Sequence, residues 1–222
     1  MATQLDLEEQ EQLDQLKAFW NQYGNLITGV LVVVVGAYLA WLGWNTWQRD
    51  QGAKAGAMYD ELDRAVQAAD VDRSGRIFND MKERYPRTAF TGQAGLLAAR
   101  VAADKGRIEP AHAALDWVAA HASQPEYRAL AHLRLAGLLL DEKKYDDALK
   151  QVDAVEGDSF APLASDRRGD ILMAQGKTED GKVAYRKAWA ALDPKVDYRR
   201  VVEAKLDALG AAPAGSAAGN SK

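Results

Sequence analysis

The chain has 222 residues, enough for one ordinary domain with a remainder or for two small ones. It contains no Cys, which excludes disulfide frameworks, thiolate nucleophiles and Cys-ligated zinc. With 28 Lys and Arg against 32 Asp and Glu, its formal charge of −4 is too acidic for a protein built around a phosphate backbone.

That charge is unevenly placed. Asp6, Glu8, Glu9, Glu11 and Asp14 stand against Lys17 alone, so the acidic arm 1–17 carries the whole net charge and the rest is formally neutral. From Ala18 to Gln48 there is no charged residue, and Leu26 to Trp44 reads LITGVLVVVVGAYLAWLGW. A hydrocarbon core of about 30 Å needs roughly 20 apolar residues in a helix. The composition therefore predicts a transmembrane anchor over 18–48, with its core at 24–44. Trp20 and Tyr23 at one end and Trp41, Trp44 and Trp47 at the other are the amphipathic rings expected at headgroup level. A buried core helix would seldom lack charge over this length. The acidic leader, the long apolar run and the Arg49 that follows differ from a cleavable secretion signal, so the segment is expected to stay attached.

Flanking bases are few. Lys17 precedes the span and Arg49, Lys54 and Arg64 follow it, a bias of one or two residues toward a cytoplasmic C-terminal domain. Long domains translocate largely regardless of such charge, so it leaves the orientation open. Within the span Gly29, Gly36 and Gly43 recur every seven residues, with Ala40 four after Gly36. At helical spacing they share a face on which a partner helix packs closely, although Gly is also common in membrane helices generally.

From 51 to 209 the pattern is Ala-rich and helical, without an alternating strand run, and is punctuated by Pro86, Pro110, Pro125, Pro162, Pro194, Gly106, Gly157 and Gly176. The segment 210–222, GAAPAGSAAGNSK, has no large apolar residue and is expected to be a disordered tail.

Three segments of the helical region align: LAARVAADKGRIEP at Leu97–Pro110, LAGLLLDEKKYDDA at Leu135–Ala148 and RGDILMAQGKTEDG at Arg168–Gly181. Their offsets are 38 and 33 residues. Ala98, Ala136 and Gly169 then share one place, and Pro110, Ala148 and Gly181 another. Small residues at both places let two antiparallel helices cross closely. The pattern resembles the tetratricopeptide repeat, whose period is 34. The third unit matches best, with Gly169, Gly181, Ala188, Asp193 and Pro194. The second keeps Ala136, Tyr145 and Ala148 but has Val155 at a small position. The first has Pro110 and Trp117 at its second-helix small positions and an extra piece around Ser123 to Glu126. A degenerate pair is expected before it, at 55–69 and 74–85. Generic helical hairpins are the other reading of this stretch. The predicted fold is all-α, one N-terminal transmembrane helix followed by a tetratricopeptide repeat-like α-solenoid.

No catalytic constellation is found. His112, His121 and His132 lie 9 and 11 residues apart, so neither gap is the four-residue spacing that puts two imidazoles on one helix face. No phosphate-binding glycine loop, GxSxG or SxxK string is present. Asp146, Asp147, Glu179 and Asp180 sit at predicted helix starts, where they complement the helix dipole. No cofactor or metal is expected.

Solenoids usually bind through the face lined by the first helix of each unit. Counting from the small positions, that lining comprises Leu130, Leu133, Gly137 and Leu140, then Leu163, Asp166, Asp170 and Met173, with Gly95, Ala99 and Ala102 from the first unit. It is apolar with a few acids and lacks the Lys, Arg and Asn that clamp a C-terminal carboxylate. It suits apolar extended or helical segments. A one-residue error in register would turn this lining into core.

The whole arrangement resembles the YfgM-like ancillary subunits of the bacterial Sec translocon: an acidic arm, one span ending in WLGWNTWQ, the segment AGAMYDEL, and a tetratricopeptide-like domain containing ALAHLRLAGLLLDEKKYDDAL and FAPLASDRRGDILMAQGK. The resemblance runs to about Leu209. It implies an inner-membrane protein with a cytoplasmic N-terminus and periplasmic C-terminal domain, association with SecYEG and with the membrane-anchored chaperone PpiD, and assistance to newly translocated proteins. The flanking charge departs from that topology. The other reading from the residues is a cytoplasm-facing membrane scaffold that recruits a regulatory or assembly partner.

Overall fold

The computed structural model describes residues 7–213, with side chains from residue 11 onward. Among the described residues there is no strand. The chain forms helices α1 (Leu7–Gln67), α2 (Val71–Arg84), α3 (Ala89–Asp104), α4 (Ile108–His121), α5 (Pro125–Asp141), α6 (Tyr145–Asp153), α7 (Ala161–Ala174), α8 (Thr178–Ala191) and α9 (Tyr198–Ala208). Two compact units divide between Asp50 and Gln51, and α1 contributes to both.

In the first unit the apolar side chains of α1 are exposed all round, Leu26 at 67% and Val33 at 70%. Exposed apolar surface this continuous is not left to water in a soluble domain. Its most apolar stretch of 18 residues has a mean hydropathy of 2.2 with none of that stretch buried, so the helix is long and apolar enough to cross a membrane. Near its end the Thr46 hydroxyl is satisfied within the helix, donating to the Leu42 carbonyl at 2.9 Å. Trp44 and Trp47 lie together near its end, centroids 5.2 Å apart.

The second unit is a row of helical hairpins: the end of α1 with α2, α3 with α4, α5 with α6, and α7 with α8, closed by α9 against α8. Successive first helices α3, α5 and α7 are neighbours, while α4 packs on α5 and α6 on α7. This is the layering of a tetratricopeptide repeat-like solenoid, in which each unit buries a face that it could not bury alone.

The hairpins share one closing device. Ala69, Gly106, Lys143 and Gly176 take left-handed backbone, with φ of 54°, 69°, 62° and 77°, at spacings of 37, 37 and 33 residues. After each, the next N–H reaches back five residues, Asp70 to Ala65, Arg107 to Ala102, Lys144 to Leu139 and Lys177 to Leu172, at 2.8–2.9 Å. The last carbonyls of each first helix are thereby satisfied before the chain reverses. Gly is free to adopt this conformation at two of the four places, and Ala69 and Lys143 bear the cost elsewhere.

This spacing corrects the sequence alignment of the first unit from 38 to 37. The fourth residues of the second helices are Ser74, Ala111, Ala148 and Gly181, all buried. Ala111 therefore holds the place given to Pro110, which is exposed, and Val118, fully buried, holds that given to Trp117. Their first-helix counterpart is Ala99 rather than Ala98. Both are buried, at 2% and 5%, so two adjacent alanines offer no compositional signal to choose between them.

In the first hairpins Phe78 meets Trp117 edge-on at 5.5 Å and 85°. Gly95 leaves room for Phe78 and Val118: a Cβ there would stand 2.4 Å from Val118 Cγ2 and 2.7 Å from Phe78 Cζ. At the C-terminal end Gly169 does the same for Tyr185, whose Cε1 lies 2.4 Å from such a Cβ. The array also extends past Leu209. Gly210 repeats the left-handed closure at φ 63°, and the N–H of Ala211 reaches Leu206 at 2.9 Å. Ala211 is then buried against the Tyr185, Val202 and Leu206 cluster. The expected loose tail therefore loses its first residues to the array, and 214–222 lie outside the described residues.

Candidate functional site

A cleft of about 410 Å³ opens along the neighbouring first helices α3, α5 and α7. Ala99, Ala103 and Gly137 make its floor low, Leu115 and Leu138 line it with apolar surface, and Arg100, Arg134 and Arg167 border it. Short side chains at the floor follow from close helix packing, which leaves the long arginines to form the walls. Arg134 is half-buried, and its guanidinium Nη1 donates to the Leu96 carbonyl at 2.8 Å. Burial, and then the like charge of Arg100, hold the Arg134 guanidinium below the usual arginine range. Arg100 pairs with Asp104 at 3.7 Å and Arg167 with Asp170 at 3.4 Å.

Of the residues expected to line the inner face, Gly137 alone borders this cleft from α5. Leu133 is 7% exposed and belongs to the core, and Leu130 packs against the first core cluster. Leu140 packs with Ala136, Ala148 and Ile171. Leu163 is half-buried near the start of α7. Met173 sits against Gly181, whose Cβ would come 2.7 Å from its sulfur. From the first unit Ala99 lines the cleft, whereas Gly95 is wedged between Phe78 and Val118, and Ala102 faces α2 and α4. Counting from Ala98 displaced that unit by one residue, and in the second unit Leu133 points between helices.

Asp166 and Asp170 are not an open lining either; α9 covers them. Lys205 reaches both Asp166 oxygens at 2.8 Å and Asp170 at 2.6 Å. The Tyr198 hydroxyl donates to Asp166 at 2.7 Å and the Tyr185 hydroxyl to Asp170 at 2.8 Å. Burial first, and these carboxylates second, raise both phenols well above the usual tyrosine range, so they remain donors. Asp166 is 2% exposed, and its charge is tolerated because it is paired and hydrogen-bonded. The Arg199 guanidinium adds to the docking of α9 by lying over the Trp189 ring at 4.0 Å.

The histidines are tied into the scaffold separately. His112 Nε2 lies 2.6 Å from Glu142, His121 Nδ1 3.0 Å from the Trp117 carbonyl, and His132 Nδ1 2.8 Å from Gln151. Glu142 also receives Lys144 at 2.5 Å; that bond first and His112 second hold its carboxyl below the usual range. Among the described residues no group of three or more His, Asp and Glu is arranged around a metal position. On the spanning helix Gly29, Gly36 and Gly43 have open space where a Cβ would project, and Ala40 is exposed.

Sequence reasoning missed the arginines of the cleft. Arg134 and Arg167 are 33 residues apart, the offset of their repeats, each two residues before the small position at Ala136 and Gly169. That recurrence was the available signal. The expected lining falls at other positions of the helical turn, which leaves these arginines out.

The model of the tetratricopeptide repeat-like domain family matches residues 17–211. A protein of Neisseria gonorrhoeae named ancillary SecYEG translocon subunit is 30% identical over 204 residues, which cover 91% of this chain and 98% of that one. The chain belongs to the YfgM-like family. Relatives with the same name in Haemophilus influenzae and Escherichia coli are 28% and 29% identical, over 82% of this chain and 89% and 86% of theirs. The family match starts within α1, just before its uncharged run, and ends at Ala211, so it takes in the span, every hairpin and the closure after α9.

Proposed function

We propose that the protein is a non-catalytic, single-pass inner-membrane subunit ancillary to the Sec translocon, with its N-terminus cytoplasmic and its helical array in the periplasm. There it binds SecYEG, a PpiD-like membrane-anchored chaperone and newly translocated chains. The observation that carries this reading is the extent of the relationship: an ancillary SecYEG translocon subunit is matched over 98% of its own length, anchor and array together. The physical logic agrees. A span that holds the array beside a channel raises its local concentration near emerging chains, so weak contacts along the cleft become effective. In the span, the face of Gly29, Gly36, Ala40 and Gly43 is offered to a partner's membrane helix, which approaches closely where side chains are small. On the array, the binding surface is the inner face at Gly137.

A second reading, a cytoplasm-facing scaffold for a regulatory or assembly partner, is favoured by one observation, the bases Arg49, Lys54 and Arg64 that follow the span. Reporter fusions after Pro213 separate the two. Activity of a C-terminal alkaline phosphatase is expected; activity only from a reporter that works in the cytoplasm would overturn the periplasmic assignment.

A further inference from the structure

We infer that the cleft between α3, α5 and α7 binds an acidic segment of a partner polypeptide, with Arg134 as the principal contact to a Glu or Asp side chain and Arg100 and Arg167 beside it. This rests on the reading of the array as a binding surface and adds what that surface selects. Arg134 is the group that asks for a ligand. It is half-buried, it donates to one backbone carbonyl, and among the described residues no carboxylate lies within ion-pairing distance of it. Its charged neighbour Arg100 has the same sign. A guanidinium in this state keeps several N–H donors in a planar fork that matches a carboxylate, and a charge-assisted pair there would offset both its partial desolvation and the repulsion.

The acids nearby do not supply that partner. Asp104 is drawn to Arg100 at 3.7 Å, and Asp170 is held by Lys205 at 2.6 Å and by Tyr185 at 2.8 Å. The α9 closure thus shares Asp170 with Arg167, which meets it at 3.4 Å, and brings no carboxylate to Arg134. Asp141 is exposed at the rim and leaves two aspartates against three arginines along the cleft. The remaining walls define the rest of the ligand. Gly137 has no atom nearer to its Cβ position than the Arg167 guanidinium at 3.8 Å, so a polypeptide backbone can approach the floor. Leu138, half-buried at the cleft, offers apolar surface to a neighbouring aliphatic side chain. The fitting segment therefore carries a carboxylate next to apolar residues, in extended or helical form.

The test uses the full chain in lipid nanodiscs and fluorescent peptides with acetylated and amidated ends, one alternating Glu with Leu and the other Gln with Leu. The acidic peptide is expected to bind at least about tenfold more tightly than its isostere, with the difference shrinking as salt is raised. Arg134→Gln should abolish that preference and Arg134→Lys should restore part of it. Arg100→Gln, at an exposed position, serves as the second variant if Arg134→Gln perturbs folding, and it should reduce the preference several-fold. Equal binding of the two peptides, or a preference unchanged in both glutamine variants, would overturn the inference. So would acidic binding that appears only when the peptide's C-terminus is free, since that would assign the cleft to a terminal carboxylate. Recovery of the translocon with the tagged wild-type chain is read separately, so failure of the acidic preference and failure of the translocon assignment are distinguishable.

Discussion

The two ends of the helical array are held by different chemistry. Around α1 to α4 the core is apolar, with Leu62, Phe78, Met81, Leu115 and Val118 packed together and Gly95 making room for the aromatic ring. Around α7 to α9 an apolar cluster of Tyr185, Ala188, Val202 and Leu206 is joined by a buried polar closure, in which Asp166 and Asp170 hold Lys205, Tyr198 and Tyr185 beneath α9. An apolar core is non-directional and spreads its stabilisation over many contacts, whereas a buried polar closure depends on each partner being present. The first should therefore set the stability of the array, and the second should set whether its last helix stays docked.

Phe78→Ala probes the apolar end and has the largest expected effect. It should destabilise the array by about 3–5 kcal/mol and lower its melting temperature by many degrees. Asp166→Ala comes next, at about 2–3 kcal/mol, because Lys205 and Tyr198 lose a buried acceptor. Hydrogen exchange should show its effect to be local, with Tyr198–Ala208 exchanging faster and α3 and α4 still protected. Equal loss of protection at both ends would mean that the two regions form one cooperative unit. Gly169→Ala tests the approach of α7 to α8 and should cost about 1–2 kcal/mol through the clash with Tyr185. A melting temperature within a degree of wild type would contradict the packing.

The smallest effect concerns the middle of the array. Glu142, at the end of α5, joins His112 of α4 and Lys144, and its folded carboxyl titrates below the ordinary value. Its contribution is thus present above the unfolded carboxylate range, about pH 4.3, and is lost as the pH falls through the lower folded value. Glu142→Gln should lower stability by less than about 1 kcal/mol at pH 7, and the gap from wild type should close in acid. A gap that persists at pH 3 would assign the effect to packing instead.

The span and the array also differ in how they could be read. Leu26 to Trp44 announces itself by composition, because lipid demands a long uncharged run and nothing else in the chain resembles one. The array depends on register, which composition encodes weakly where alanines adjoin. Ala98 and Ala99 are interchangeable to the eye, and the one-residue difference moved Gly95 from the surface into the core. The third unit was more legible, since Gly169 and Gly181 are separated by bulky neighbours. The role of Asp166 and Asp170 depended on α9, whose Lys205 lies 39 and 35 residues away and belongs to no repeat. The cleft arginines were legible in principle at their repeat spacing, but only after the lining positions had been established.

Site-specific photocrosslinking in living cells tests the central claim most directly. A photoreactive residue in place of Gly137 lies in the cleft with room to project, and one in place of Val183, 62% exposed on α8, serves as the comparison. The Gly137 position is expected to yield adducts with translocon subunits and with chains crossing the membrane, well above those from Val183. Adducts confined to cytoplasmic proteins, or equal labelling from the two positions, would contradict a periplasmic array that binds through its inner face.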